Sequence, residues 1–450
     1  MYSEFCYRKI AGSVLYALLA SILFYSCASP RDFSMVDYHT HSGDYESAYN
    51  QLEQEKESLY TEKDKLLYNL DKGLLLRYSG NYEQSNNLLS DAEKLIEEYY
   101  AKSITQTLGS YLLNDNVLDY SGEDFEDIYT NLFMAMNYIH LGKIDSAFVE
   151  IRRFNNKIKL LSSKYDNLLY AIRKKALSEG YDTSPYLDEE KINYQIEFHD
   201  SAFARYLSLI LYRVIGDIDS ANVDKKFIET AFTSQQQLYP FSIPHAVYEE
   251  FMIPEDKERL NVFFYSGKSP EKIEEVIRIP SLPNENYLKL AMPTMVKNSS
   301  AVSSVSISAK DSNGNVFNKN LEVIESIENI IGDTFQQKQD AIYLKALIRA
   351  LSKFITNSAF IETAKESGSS GELIGLLGNI FTEFSEQADI RSSRYFPAYV
   401  WVGGLNLQKG EYDIVITAHD AYGKVIFEKV ITDFTINEYK INILESLCLH

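Results

Sequence analysis

Several groups of side chains in this 450-residue sequence have types and spacings that could do chemistry. His39-Thr40-His41, with Asp37 and Asp44 nearby, offers zinc-type ligands, because His-x-His on a strand or loop can bring two imidazoles together. It falls in a polar stretch expected to be a solvated tether, where no fold would hold four ligands, so no metal site is expected. Glu123, Asp124, Glu126 and Asp127 put four carboxylates at a helix start. Two carboxylates flanking a bond can cleave glycans, but acidic residues in a first turn more often complement the helix dipole. Asp389 with Arg391 and Arg394 could bind an anion; the preferred reading is an ion pair that pins a helix exit to the next strand. Gly267-Lys268-Ser269 has the form of the end of a phosphate-binding loop, yet Val262 stands where that loop needs glycine. Gly368-Ser-Ser-Gly371 is not Gly-x-Ser-x-Gly and lies in a linker, so it is not a nucleophile elbow. No catalytic residue and no cofactor are expected.

The elements that would have to position such groups begin after an export signal. Arg8 and Lys9 precede an uncharged run from Ile10 to Tyr25, and small Ser26 precedes Cys27. A charged start, a short apolar core and a small residue at the cut describe a secretory signal. The run is shorter than the roughly 20 apolar residues of a spanning helix. Leu23-Phe24-Tyr25-Ser26-Cys27 resembles a bacterial lipobox, which implies lipidation of Cys27 after removal of residues 1–26. Ala28 follows it rather than the Asp that retains many such lipoproteins at the inner membrane, so the outer membrane, facing the periplasm, is the expected location. Cys6 would leave with the signal and Cys27 would carry lipid, leaving Cys448 as a lone thiol with no intramolecular disulfide. Residues 27–42 are expected to form the tether.

Residues 43–250 carry a recurring phrase of Gly, polar, Tyr or Ile, acidic, polar, small. It starts at Gly43, Gly80, Gly142 and Gly216 and ends at Ala48, Ser85, Ala147 and Ala221. The phrase resembles the turn and second-helix start of a tetratricopeptide (TPR) repeat, where Gly ends helix A and the small residue lets helix B approach. The spacings are 37, 62 and 74 residues, whereas a regular array repeats roughly every 34. Helical hairpins separated by extra helices are therefore expected. Ile128, Leu132, Ala135, Met136 and Ile139 form one apolar helical stripe ahead of Gly142.

Residues 251–450 change period. Short alternating segments from Leu260 to Ile324, with Asn313-Gly314 as a hairpin signal, read as strands. A helical block at about 335–387 follows, then strands over 398–405, 412–418, 424–431 and 434–443. The expected class is α+β multidomain: a TPR-like helical domain, then a β-sandwich-like domain with a helical insertion.

Asn114 to Glu126, Ala135-Met-Asn-Tyr138, Gly142 to Arg153, and Ala388-Asp-Ile-Arg391 followed by Pro397-Ala398 and Gly410 together resemble a family of uncharacterised bacterial envelope lipoproteins with a TPR-like N-terminal half. That family usually has Trp after an Arg-Ser pair, where this chain has Ser393-Arg394-Tyr395-Phe396. The resemblance implies an envelope location, and partners of the kind found with small lipoproteins that resemble peptidoglycan-synthase activators or secretion parts.

Acidic residues outnumber basic ones 64 to 44, for a net charge of −20, so the surface repels polyanions and nucleic acid is not an expected partner. The expected function is a lipid-anchored periplasmic scaffold that binds other envelope proteins through its repeats. The alternatives are an activator or enzyme of cell-wall or secretion machinery, and a glycan- or solute-binding lipoprotein. An exposed concave helical groove would favour the scaffold, and a cleft with paired carboxylates the enzyme.

Overall fold

A computed structural model of the chain describes residues 31–105, 115–178, 180, 196–281, 286–366, 387–438 and 441–449. About half of the chain is helix and a quarter strand, with helices in the N-terminal half and a nearly closed sheet in the C-terminal half. The α+β class follows from that segregation.

Among the described residues, four helical hairpins build the first half. They pair α1 (Ser34–His41) with α2 (Tyr45–Gln54), which the short α3 (Lys56–Leu59) follows, and α4 (Lys65–Tyr78) with α5 (Tyr82–Thr105). They continue with α6 (Asp124–His140) and α7 (Ile144–Ser178), then α8 (Ala202–Val214) and α9 (Ile218–Ser234). Each hairpin reverses at one of the four recurring glycines, whose φ values are +76°, +85°, +69° and +81°. The residue after each glycine donates its N–H to a carbonyl five residues back, at 2.8–3.0 Å. This left-handed closure satisfies helix-end carbonyls, and glycine adopts it without Cβ strain. Five residues beyond each glycine, Ala48, Ser85, Ala147 and Ala221 are fully buried. The unequal glycine spacings are absorbed by the long α5 and α7 and by the segments after them.

Two expectations change here. Residues 34–41 of the expected tether are helical, because Phe33 and Val36 are buried and Asp37 pairs with Arg394 and Lys268. The helical insertion starts earlier than expected, since α11 (Ile327–Glu366) leaves β5 directly; the one-turn α10 (His245–Glu249) precedes the sheet.

The strands are β1 (Glu258–Lys268), β2 (Glu271–Ser281), β3 (Asn286–Val296), β4 (Ser304–Asp311), β5 (Val316–Ser326), β6 (Pro397–Leu407), β7 (Gly410–His419), β8 (Val425–Ile436) and β9 (Asn442–Cys448). The β2–β3 hairpin stands apart and packs on α11. The other seven form one sheet in the order β8-β7-β4-β5-β6-β1-β9, antiparallel except for the β1–β9 pair. The expected sandwich is thus a single sheet, curled until β8 comes back beside β9. The expected break between strands at 431 and 434 is instead a bulge within β8. Asp433 takes φ +54°, and the register against β7 shifts there, so the chain bends without turning.

Alternation along β1 explains the packing. Leu260, Val262 and Phe264 face the inside of the curl with Ile307, Leu405, Ile414 and Ile416. Phe263 and Tyr265 face outward into the helices and share their core with Phe133, Phe203 and Tyr206. β1 is buried on both faces along nearly its whole length, as a strand covered on two sides must be. The first helices of the hairpins, α4, α6 and α8, therefore lie between their partner helices and the sheet, and nearly every residue from Leu66 to Arg77, Asp124 to Asn137 and Ala202 to Leu211 is buried.

Candidate functional site

A cavity lies where the sheet fails to close, between β8 and β9. Near its base, β8 and β9 are tied by Asn437, whose N–H donates to Asn442 Oδ1 at 2.8 Å, and by Asn442 Nδ2, which donates to the Asn437 carbonyl at 2.9 Å. Above this point each strand pairs only with its other neighbour. A pocket of about 480 Å³ occupies the split. Phe427 to Lys429 of β8 and Glu445 to Leu447 of β9 form two walls, and the α1–α2 and α4–α5 turns form the rim through Ser42, Tyr45, Ser79 and Tyr82.

Arg77, Tyr265 and Glu445 form the floor. Arg77 sits one turn before the Gly80 closure, which carries the end of α4 across the sheet edge. Its Nη1 donates to Asn137 at 2.6 Å and its Nη2 to Glu445. Tyr265 donates its hydroxyl to Glu445 at 2.7 Å, and His140 Nε2 meets the other carboxylate oxygen. The His140 ring is stacked on Tyr82, with centroids 4.4 Å apart and planes 3° from parallel. Burial by itself raises the Glu445 pKa, but Arg77 beside it and the bonds from His140 and Tyr265 outweigh that and hold it down at about 2. An acid so strong stays ionised at neutral pH and has no proton to donate as a general acid.

Two donors at this pocket lack a protein partner. Arg77 Nε and Ser446 Oγ are buried without hydrogen-bond partners. Lys429 is exposed on the pocket wall and makes no ion pair among the described residues, and the surrounding protein lowers its amine pKa against the pull of Glu445.

The residues singled out from sequence lie elsewhere, Gly43 and Gly80 on the pocket rim excepted. Arg391 binds Asp389 at 2.7 Å and Asp64 at 3.1 Å, and its Nη2 donates to the Asp115 and Leu118 carbonyls. Arg394 binds Asp37 at 2.7 Å and covers the Phe33 ring. These pairs clamp the strand-entry segment 389–396 onto the N-terminal helices; the helix exit they were expected to pin lies outside the described residues. The four carboxylates at the start of α6 are likewise structural. Glu123 meets Lys272 and Lys338 at 2.7 and 2.9 Å, Asp124 meets Lys164, and Asp127 meets Lys157. Glu126 accepts the Glu123 N–H and closes the helix start.

His39 and His41 are two residues apart on α1 and diverge, and Asp44 caps α2 through the Ser47 N–H. Among the described residues no His, Cys, Asp and Glu side chains converge as a metal site would need. Cys27 and the Gly368–Gly371 stretch lie outside the described residues. Gly142, Gly216 and Ala147 shape hairpins away from the pocket. Sequence reasoning missed Arg77, Lys429 and Glu445, because Arg77 and Glu445 meet across 368 residues of chain. No protein-family model matches the sequence, and no curated protein is significantly similar to it.

Proposed function

We propose that the protein is an exported, non-catalytic lipoprotein, anchored through Cys27 to the outer membrane on its periplasmic side, that holds a small solute in the seam between β8 and β9. The TPR-like hairpins serve as a cradle for the chain's own sheet. One observation carries this reading. The inner helical face, which a TPR array would offer to a partner, is filled by β1, β5 and the 389–396 segment, as in the contacts of Phe133 with Tyr265, Tyr129 with Glu325 and Tyr78 with Tyr395. The split between β8 and β9 leaves a cavity of about 480 Å³, within the range that encloses small ligands, with aromatic side chains around it and buried donors that no protein group satisfies.

The test is a thermal-shift screen of residues 27–450 against neutral sugars, amino acids and small organic acids, repeated with Ser42→Trp. Ser42 is exposed on the rim, so an indole there covers the mouth with little effect on the core. Stabilisation by one solute class that Ser42→Trp abolishes is expected; shifts that Ser42→Trp leaves intact refute the site. For the anchor, Cys27→Ser should move the protein to the soluble envelope fraction or leave it uncut, because acyl chains hold it by roughly 0.8 kcal/mol per buried CH₂. Fatty-acid labelling that persists in the Ser variant refutes the anchor.

The scaffold for other envelope proteins is the second reading, and one observation favours it. The outer helices leave Val149 on α7, Ile218, Val223 and Phe227 on α9, and Ile215 at the turn before it exposed. A protein partner would then dock on the outside of the hairpins.

A further inference from the structure

We infer that the seam pocket is built for a small ligand carrying an oxyanion, a carboxylate or a phosphate, on a flat or apolar body; this rests on the reading of the seam as a solute site. The argument is an account of donors and acceptors. Arg77 has five N–H groups. Nη1 is taken by Asn137 and Nη2 by Glu445 and Tyr265, while Nε–H is buried with no acceptor. Ser446 is buried and its hydroxyl has no partner. The two flank β9 from opposite faces: Arg77 lies with Glu445 and Tyr265 on the helix side, and Ser446, in register with Phe264, on the inner side of the curl. A bound acceptor in the split would supply a partner that no protein group gives them.

Lys429 adds a charge. The chain holds 20 more acidic than basic residues, and many of its described Lys and Arg side chains pair with carboxylates, as Lys157, Lys272 and Lys338 do. Lys429 lines the cavity and pairs with none among the described residues. The nearby acceptor, Glu445, is saturated by Arg77, His140 and Tyr265. Glu428, the other carboxylate at the cavity, alternates with Lys429 along β8 and points to the opposite face; a ligand seated on the Lys429 side accepts hydrogen bonds and carries the negative charge that answers the ammonium. The Tyr45, Tyr82 and Phe427 rings around these donors would hold its body. Because the ligand would bridge β8 to β9 and touch the hairpin turns, binding would also close the open side of the sheet.

Titration calorimetry on residues 27–450 with phenyl phosphate, benzoate, inorganic phosphate, methyl benzoate and glucose tests this. Either phenyl phosphate or benzoate should bind, and which one does identifies the oxyanion; inorganic phosphate should bind more weakly for lack of a body. Lys429→Gln, at an exposed residue whose loss leaves folding intact, should weaken binding roughly tenfold or more. Ser446→Ala should weaken it several-fold while leaving the melting temperature equal or higher, since it removes an unsatisfied buried hydroxyl. A purely structural role for Ser446 would leave affinity unchanged and overturn the assignment. Hydrogen exchange should slow at 427–429 and 445–447 when ligand is bound. If methyl benzoate or glucose binds as well as the anions and Ser42→Trp blocks it, the oxyanion assignment falls and the solute site stands. If no probe binds at millimolar concentration, both fall.

Discussion

Changing Glu126 to Gln should alter how the stability of this protein depends on pH, by an amount its surroundings fix. Glu126 is fully buried in α6. Its carboxylate accepts the Ser393 N–H at 2.6 Å, the Glu123 N–H at 2.8 Å and the Tyr120 hydroxyl at 2.7 and 2.9 Å. None of the ion pairs among the described residues includes it, because Lys272 and Lys338 go to Glu123. Burial, and then the Glu123 charge, push its pKa from 4.5 up to about 7 against those hydrogen bonds. The folded chain therefore keeps a proton that the unfolded chain has released. The stabilisation is complete below pH 4.5 and is lost as pH rises through about 7. That interval corresponds to about 3 kcal/mol, at 1.36 kcal/mol per pH unit.

The glutamine of Glu126→Gln is neutral at every pH, and its amide faces one backbone N–H, a roughly constant cost of about 1–3 kcal/mol. In urea unfolding at a series of pH values, the advantage of wild type over Glu126→Gln should shrink by about 3 kcal/mol between pH 4.5 and just above 7. Asp71, buried nearby with its pKa raised to about 6 by burial, titrates in both proteins and cancels to first order in the difference. A gap that stays constant to within about 1 kcal/mol across that range would show that Glu126 is ionised throughout, and the desolvation argument would be wrong.

Ala147 is fully buried where α7 approaches α6, so Ala147→Leu should lower stability by about 1–3 kcal/mol through overpacking; an unchanged thermal melt would mean that the helices part without cost. Gly142→Val should cost less, about 1 kcal/mol, because a Cβ there meets nothing within 4 Å and only the +69° φ opposes it. Gly404→Ala should exceed Gly142→Val in the same melts. Its Cβ would fall 2.5 Å from the Leu260 carbonyl oxygen and 2.7 Å from the Arg259 guanidinium, so the β1–β6 pairing must shift. A smaller loss for Gly404→Ala than for Gly142→Val would refute that ranking.

The local devices of this fold were legible in the sequence because each is set within a few residues. A glycine followed five positions later by Ala or Ser specifies a left-handed helix closure and a close second helix, and all four such phrases fold that way. Asn313-Gly314 likewise joins β4 to β5, with Gly314 at φ +86°. The helix-start carboxylates and the Arg391 and Arg394 pairs kept their structural reading, since partly buried Arg finds a carboxylate wherever the chain passes one. Tertiary structure alone decided the rest. Whether the strands stack as a sandwich or curl into one sheet depends on the twist and bulge geometry of β8 and on which edges meet, and alternation encodes the two faces of a strand but not its neighbour. The filling of the inner helical face by the chain's own strands, and the Arg77–Glu445–Lys429 pocket left at the seam, arise from residues hundreds of positions apart. No local pattern of residue types records that meeting, because it is fixed only when the two halves share one core.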